Sequence, residues 1–208
     1  MMSPSSTGID ARHSLGGAIE LAGFARPYGE EVVCGDAFAW NVTADGASLL
    51  VADGLGHGPP AREAAGRAVA SFLEAPTLAL DQLVRRCHAA LGRTRGAAVA
   101  VARVDPRRMR LYFCGVGNVR LWDVPRRGGR GTSLPGIVGL RLPPLRVFES
   151  PLHANDLVVL YTDGLPSGFD VSSVRDVPFQ DVPRVLTQKH GLANDDVTVV
   201  ALRTRATA

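Results

Sequence analysis

The sequence predicts an α+β domain with antiparallel sheets. Two observations carry that reading. Most of the apolar, β-branched runs come in pairs joined by short turn signals, as hairpins require. Helical runs fall between groups of strands and do not follow every strand. A third observation concerns chemistry: several apolar runs begin or end on an aspartate, notably Leu49-Leu50-Val51-Ala52-Asp53-Gly54. The chain has 208 residues, with no repeat and no linker that would split it, which suits one domain. That domain is expected over 15–204, with residues 1–14, small and polar, as a disordered lead-in.

In chain order, Ala18 to Ala25 alternates and reads as a first strand, closed by a turn at Arg26-Pro27-Tyr28-Gly29. A second runs from Glu31 to Val42, interrupted at Gly35-Asp36, and Asp45-Gly46 turns it into a third over Ala47 to Ala52. A turn centred between residues 45 and 46 makes antiparallel partners sum to about 91. Residue 53 then faces residue 38, and Asp36 lies one diagonal neighbour from Asp53. Two carboxylates that close repel unless a cation lies between them.

Pro59-Pro60 can open a helix. Ala61 to Leu73 carries Ala65, Val69 and Phe72 at the spacing of one buried face, and its first N–H groups would aim at the Asp53 region. Thr77 is the expected cap of a second helix ending near Leu91, with Leu80, Leu83, Val84 and Cys87 on one face. A hairpin follows: Ala98 to Val104, the turn Asp105-Pro106-Arg107-Arg108, then Met109 to Cys114. Asn118 to Val124 is a further strand, residues 125–136 a Gly- and Arg-rich loop, and Leu145 to Glu149 a short strand. Asp156 to Thr162 is a fully apolar strand entering Asp163-Gly164. Asp181 to His190 is a third helix with Gly191 after its end, and Val197 to Leu202 is the last strand, entered through Asn194-Asp195-Asp196.

Composition narrows the function classes. The net charge of +3 would permit a nucleic-acid partner, but the basic residues are scattered and nearly all arginine. The two short clusters, Arg107-Arg108-Met109-Arg110 and Arg126-Arg127-Gly128-Gly129-Arg130, fall at expected turns, and the aromatics are dispersed, so no nucleic-acid partner is expected. Three cysteines (Cys34, Cys87, Cys114) without C-x-x-C spacing read as buried, reduced thiols. No signal peptide and no apolar run of membrane-spanning length is visible, so a cytoplasmic protein without membrane contact is expected. Gly54-x-Gly56-x-Gly58 is not a nucleotide loop, because neither G-x-x-x-x-G-K-[ST] nor a G-x-G-x-x-G opening a helix is present.

Asp53, Asp163 and Asp195 therefore mark the ends or starts of three apolar strands, and Asp36 pairs with the first. Any one of them reads as a turn or capping aspartate; the set does not. Oxygen ligands with no His-x-His or Cys cluster favour a hard cation, Mn²⁺ or Mg²⁺, over Zn²⁺.

Gly35-Asp36, Ala52-Asp53-Gly54-Leu55-Gly56-His57-Gly58, Thr162-Asp163-Gly164 and Asn194-Asp195-Asp196-Val197-Thr198 stand in the order and spacing of the metal-dependent (type-2C, PPM) serine/threonine protein phosphatases. The chain most resembles their compact bacterial SpoIIE/RsbX-like branch, over residues 16 to 203. The resemblance implies a sandwich of two antiparallel β-sheets with helices on both outer faces. It implies hydrolysis of phosphoserine or phosphothreonine by a water activated between two divalent cations, Mn²⁺ or Mg²⁺. Asp53 would bridge the ions, with the Gly54 carbonyl contributing to one; Asp163 and Asp195 would bind the other; Asp36 would hold metal-bound water; Asp196 would stand behind these ligands. The implied substrate is a STAS-domain regulator, from a stressosome or an anti-anti-sigma system.

Two departures bear on mechanism. Larger relatives carry a histidine directly after the Asp-Gly, and here that residue is Leu55; they carry a phosphate-binding arginine five residues before the paired aspartate, and here that residue is Glu31. Protonation of the leaving group then falls to metal-bound water or to His57. Arg26, beside a turn, reads as a surface arginine before it reads as a replacement for the missing one. The competing reading is a catalytically silent pseudo-phosphatase that binds a partner; the presence of all four aspartates argues against it.

Overall fold

The computed structural model describes residues 9–15, 18–29, 31–122 and 132–205. Among the described residues, ten strands form two five-stranded sheets whose neighbours all pair antiparallel. One sheet contains β1 (Ile9–Leu15), β2 (Ile19–Arg26), β10 (Val197–Thr204), β9 (Leu157–Tyr161) and β7 (Arg120–Trp122), in that spatial order. The other runs β3 (Asp36–Thr43), β4 (Gly46–Gly54), β5 (Ala97–Asp105), β6 (Arg110–Val116) and β8 (Phe148–Pro151). Helices α1 (Gly58–Glu74) and α2 (Leu80–Leu91) cover the second sheet, and α3 (Val182–His190) covers the first.

Strand alternation builds this four-layer stack. In β4, Leu49 and Val51 point into the layer between the sheets, where they meet Leu21, Leu160 and Val200. Leu50 and Ala52, one residue out of phase, point the other way against Ala64, Ala68 and Phe72 of α1. In β10, Val197, Val199 and Ala201 face α3, while Val200 and Leu202 face the other sheet. Full burial of a side chain such as Phe72 contributes about 1.5–3 kcal/mol. The alanine-rich face of α1 lets that helix lie close on β3 and β4.

Several local expectations need correction. Residues 9–14 of the expected disordered lead-in belong to strand β1, which satisfies the open edge of β2 from Leu15↔Ile19 to Ile9↔Ala25. Backbone pairing explains this without an apolar pattern; residues 1–8 lie outside the described residues. The β3–β4 turn consists of Ala44 and Asp45, with Thr43 paired to Gly46. The register therefore shifts by two, and Asp36 lies directly opposite Asp53. Helix α2 starts at Leu80 with no side-chain cap, since Thr77 is used in the turn that Leu78 N–H closes onto the Ala75 carbonyl. The first two α1 residues after Gly58 are prolines, so the helix start offers fewer N–H groups to an anion than expected. Gly191 follows α3 in extended, not left-handed, backbone (φ −65°). The strand expected over Leu145 to Glu149 is displaced to Phe148–Pro151, and residues 123–131 of the expected strand end and Arg-rich loop lie outside the described residues.

Candidate active site

Sequence parity aims the key carboxylates. Asp53 lies two residues beyond Val51, and Asp36 two before Phe38, so both side chains share the face that packs against the other sheet. They stand at the rim where that inter-sheet layer ends. From the opposite sheet, β9 delivers Thr162 and Asp163 to the same rim, and the entry to β10 delivers Asp195 and Asp196. Four strand ends of two sheets thus converge on one acidic edge.

Asp36 is 1% exposed. Its Oδ2 accepts a 2.7 Å hydrogen bond from the Thr162 hydroxyl, and that hydroxyl in turn accepts from the Thr198 backbone N–H at 2.9 Å. Burial, followed by the charge of Asp53, pushes the Asp36 carboxyl well above its ordinary range. Asp53 is likewise raised, to about 7, by burial and then by Asp163, against the opposing effect of the Asn118 amide. Burial and Asp163 also raise Asp195. Asp163 Oδ2 accepts from Asn118 Nδ2 at 2.7 Å. Asp196, 4% exposed, accepts from the Tyr28 backbone N–H at 2.8 Å through Oδ1, while its Oδ2 is buried without a hydrogen-bond partner among the described residues.

Gly54 lies where β4 meets α1: a Cβ there would come within 2.0 Å of the Ala61 carbonyl oxygen. Only a glycine lets the strand end pass under the helix. Leu55, Gly56 and His57 then line a cleft of about 700 Å³ together with Tyr28, Asp53, Asn118, Asp163 and Asp195. Glu31, in the place of the relatives' arginine, meets His57 Nδ1 at 2.5 Å. Arg26 is engaged with the Leu192 carbonyl, and Arg62 donates to the Asp36 backbone carbonyl at 3.2 Å. No arginine or lysine side chain forms an ion pair with Asp36, Asp53, Asp163 or Asp195 among the described residues.

The acidic edge fits divalent cations. Three carboxyls are lifted by burial and mutual repulsion, one buried carboxylate oxygen is orphaned, and the donors are all oxygen. Among the described residues no three His, Cys, Asp or Glu side chains close tightly enough on one point to enclose an ion by themselves. The cysteines are not alternatives. All three are free and buried; Cys34 is pushed up by burial and by Asp36 and Asp196, and Cys87 and Cys114 rise, through burial, to about 12 and about 11.

The structure brings Asp36, Asp53, Gly54, Asp163, Asp195, Asp196 and His57 to one edge. It adds Tyr28 and Asn118, and it joins Glu31, read above only as standing in the arginine's place, to His57. Asn118 had a faint signal, a polar residue directly after Gly117 between two strands; the pairings of Tyr28 with Asp196 and of Glu31 with His57 join residues far apart in sequence and had none.

The model of the SpoIIE family (Stage II sporulation protein E) matches residues 43–176. No curated protein sequence matches the chain. Among solved structures, one from work on the bacterial stressosome, a modular system adapted to control secondary messenger signalling, is 30% identical. It superposes with a TM-score of 0.84, over 89% of this chain and 99% of that one. RsbX in complex with magnesium is 18% identical, with a TM-score of 0.81 over 94% of this chain and 100% of that one. The phosphatase domain of the Bacillus subtilis cell-fate determinant SpoIIE, with a fragment of its regulatory domain, is 17% identical; its TM-score is 0.74 over 96% of this chain and 65% of that one. The fold is thus that of the type-2C phosphatases. The chain belongs to the SpoIIE/RsbX-like branch of that metal-dependent (PPM) phosphatase family.

Proposed function

We propose that the chain is a metal-dependent protein phosphatase that hydrolyses phosphoserine or phosphothreonine on a STAS-domain regulator in a bacterial partner-switching pathway. The observation that carries this reading is the acidic edge itself: carboxylates from both sheets face one another with no protein cation paired to them among the described residues. Two divalent cations, Mn²⁺ or Mg²⁺, would supply that charge, lower the pKa of a water and draw in phosphate oxygens. Asp53 would be shared between the ions, the Gly54 carbonyl would serve one of them, Asp163 and Asp195 the other, and Asp36 would act through water. Asn118 holds the Asp163 carboxylate in place, and Thr162 holds Asp36. Asp196 keeps Tyr28 against the edge from behind.

The substrate class rests on the 30% identity to a stressosome structure and on the likeness to RsbX. The test is hydrolysis of an aryl phosphate and of a phosphorylated STAS-domain protein, with and without Mn²⁺. Turnover that needs the metal and disappears in Asp53→Asn supports the reading. A folded, metal-binding and inert wild type replaces it with the partner-binding pseudo-phosphatase.

A further inference from the structure

A phosphatase of this kind must also protonate the serine or threonine oxygen as it leaves. We propose that His57 donates that proton, and that Glu31 is the positioning residue that orients it. The proposal rests on the phosphatase reading above.

Glu31 Oε1 lies 2.5 Å from His57 Nδ1. An ionised carboxylate only accepts, so Nδ1 is the donor in this pair, and Nε2 is the ring nitrogen left for a substrate. The His57 side chain is 65% exposed and that of Glu31 28%, so the ring is reachable while its partner is mostly shielded. The imidazole lines the same cleft as Asp53, Asp163 and Asp195. Its other face lies 5.3 Å from the Tyr28 ring, and the Tyr28 backbone is tied to Asp196. The ring is thus anchored to the acidic edge without contributing to it.

The backbone is shaped around the pair. Gly58 adopts φ +70°, and a Cβ there would sit 2.9 Å from Glu31 Oε2. Two prolines follow and fix the start of α1 just after His57. Among the described residues the charged and titratable groups nearest the ring are Glu31 from the loop before β3, Tyr28 after β2, Asp53 at the end of β4, Asp163 after β9, Asp195 before β10, and Arg95, whose guanidinium lies beside Gly56.

The step balances. A water oxygen forms the new bond to phosphorus, and the bond from phosphorus to the serine oxygen breaks with its electron pair left on that oxygen. With both ring nitrogens protonated, the Nε2 proton moves onto it, giving the free hydroxyl, while the Nδ1 proton stays on the bond to Glu31. The attacking water releases one proton to solvent, from which the exposed ring is reprotonated, and its other proton remains on the released phosphate. This assignment also gives Glu31 a function distinct from that of the arginine found there in larger relatives: it serves the leaving group and does not bind the phosphate.

Leaving-group dependence tests the proposal. A phosphoserine peptide needs protonation of its alkoxide, whereas p-nitrophenyl phosphate has a leaving group that departs unaided. In the Mn²⁺-loaded enzyme, His57→Gln should lower kcat on the peptide by about 10²-fold, the usual size of general acid catalysis. The loss on the aryl ester should be at least about tenfold smaller. Glu31→Gln should shift the same ratio in the same direction, and Glu31→Asp should restore part of it. Thermal stabilisation by Mn²⁺ should match wild type in all three. Equal losses on both substrates, or none, would overturn the proposal while leaving the phosphatase reading intact. A wild type inert on both substrates removes both readings. Independently of turnover, ¹⁵N-edited NMR of the metal-free protein should show a hydrogen-bonded Nδ1 proton on His57 that is lost in Glu31→Ala; its absence in wild type overturns the pair.

Discussion

The two ends of the sandwich use the same residue type in opposite ways. At the end carrying the β3–β4 and β5–β6 turns, Asp45 pairs with Arg107 at 3.0 Å. At the same end Asp105 accepts from the backbone N–H groups of Arg107 and Arg108 and from the Arg108 guanidinium, each at 3.0 Å. Hydrogen bonds from Arg108 hold the Asp105 carboxyl below its usual range. At the other end Asp36, Asp53 and Asp195 face further aspartates and are all raised. An aspartate at a strand end is thus a turn residue when its own loop supplies the donors. It becomes a candidate ligand when its neighbours come from another sheet and carry the same charge.

The largest effect that should break this contrast is Asp53→Asn. On the proposed two-cation reading, the loss of about 4 kcal/mol of transition-state stabilisation would lower turnover by about 10³-fold. The same change should raise the melting temperature of the metal-free protein at pH 8, because it removes a carboxylate that the fold holds under repulsion. Calorimetry with and without Mn²⁺ reads both signs; a metal-free variant that melts lower than wild type would count against the uncompensated edge.

The pH response of the metal-free protein should be nearly as large. Folding raises Asp53 from 3.8 to about 7, so between these values the folded state keeps a proton that the unfolded state has lost. Stability should therefore fall as pH rises from about 4 to about 7. Asp36 and Asp195, raised in the same sense, add to the trend. Saturating Mn²⁺ should abolish it, contributing about 2.7 kcal/mol at a hundred times the dissociation constant. Urea titrations across this range, with EDTA or with Mn²⁺, check it.

Smaller effects sharpen the comparison. Thr162→Val strips a buried carboxylate of its hydroxyl donor and should cost about 1–3 kcal/mol in urea unfolding. Asp105→Asn, at the opposite end, should cost about 1 kcal/mol and leave Mn²⁺ binding and turnover at wild-type levels.

How much of this was legible depends on the range of each interaction. Strand alternation and the position of Asp53 after Leu49 to Ala52 are local, and they predicted both the sheets and the aspartates. The pairing of Asp36 with Asp53 was readable as a proximity, but its register hung on a turn displaced by one residue, and each residue of displacement moves the register by two. The neighbours of the aspartates were less accessible. Tyr28 meets Asp196 across 168 positions and Thr162 meets Asp36 across 126, and no periodicity encodes such meetings. Strand β1 escaped for a different reason: edge pairing asks only for backbone, so its side chains carried no signal.

Thr162 spans the gap between the sheets, rooted beside β9 and β10 and bonded to Asp36 on β3. The acidic edge around it draws Asp36 and Asp53 from one sheet and Asp163 and Asp195 from the other. A cation satisfying both pairs would be a rivet through two plates, with the threonine as the pin that keeps its holes aligned. Prising the plates apart at that edge would loosen the rivet.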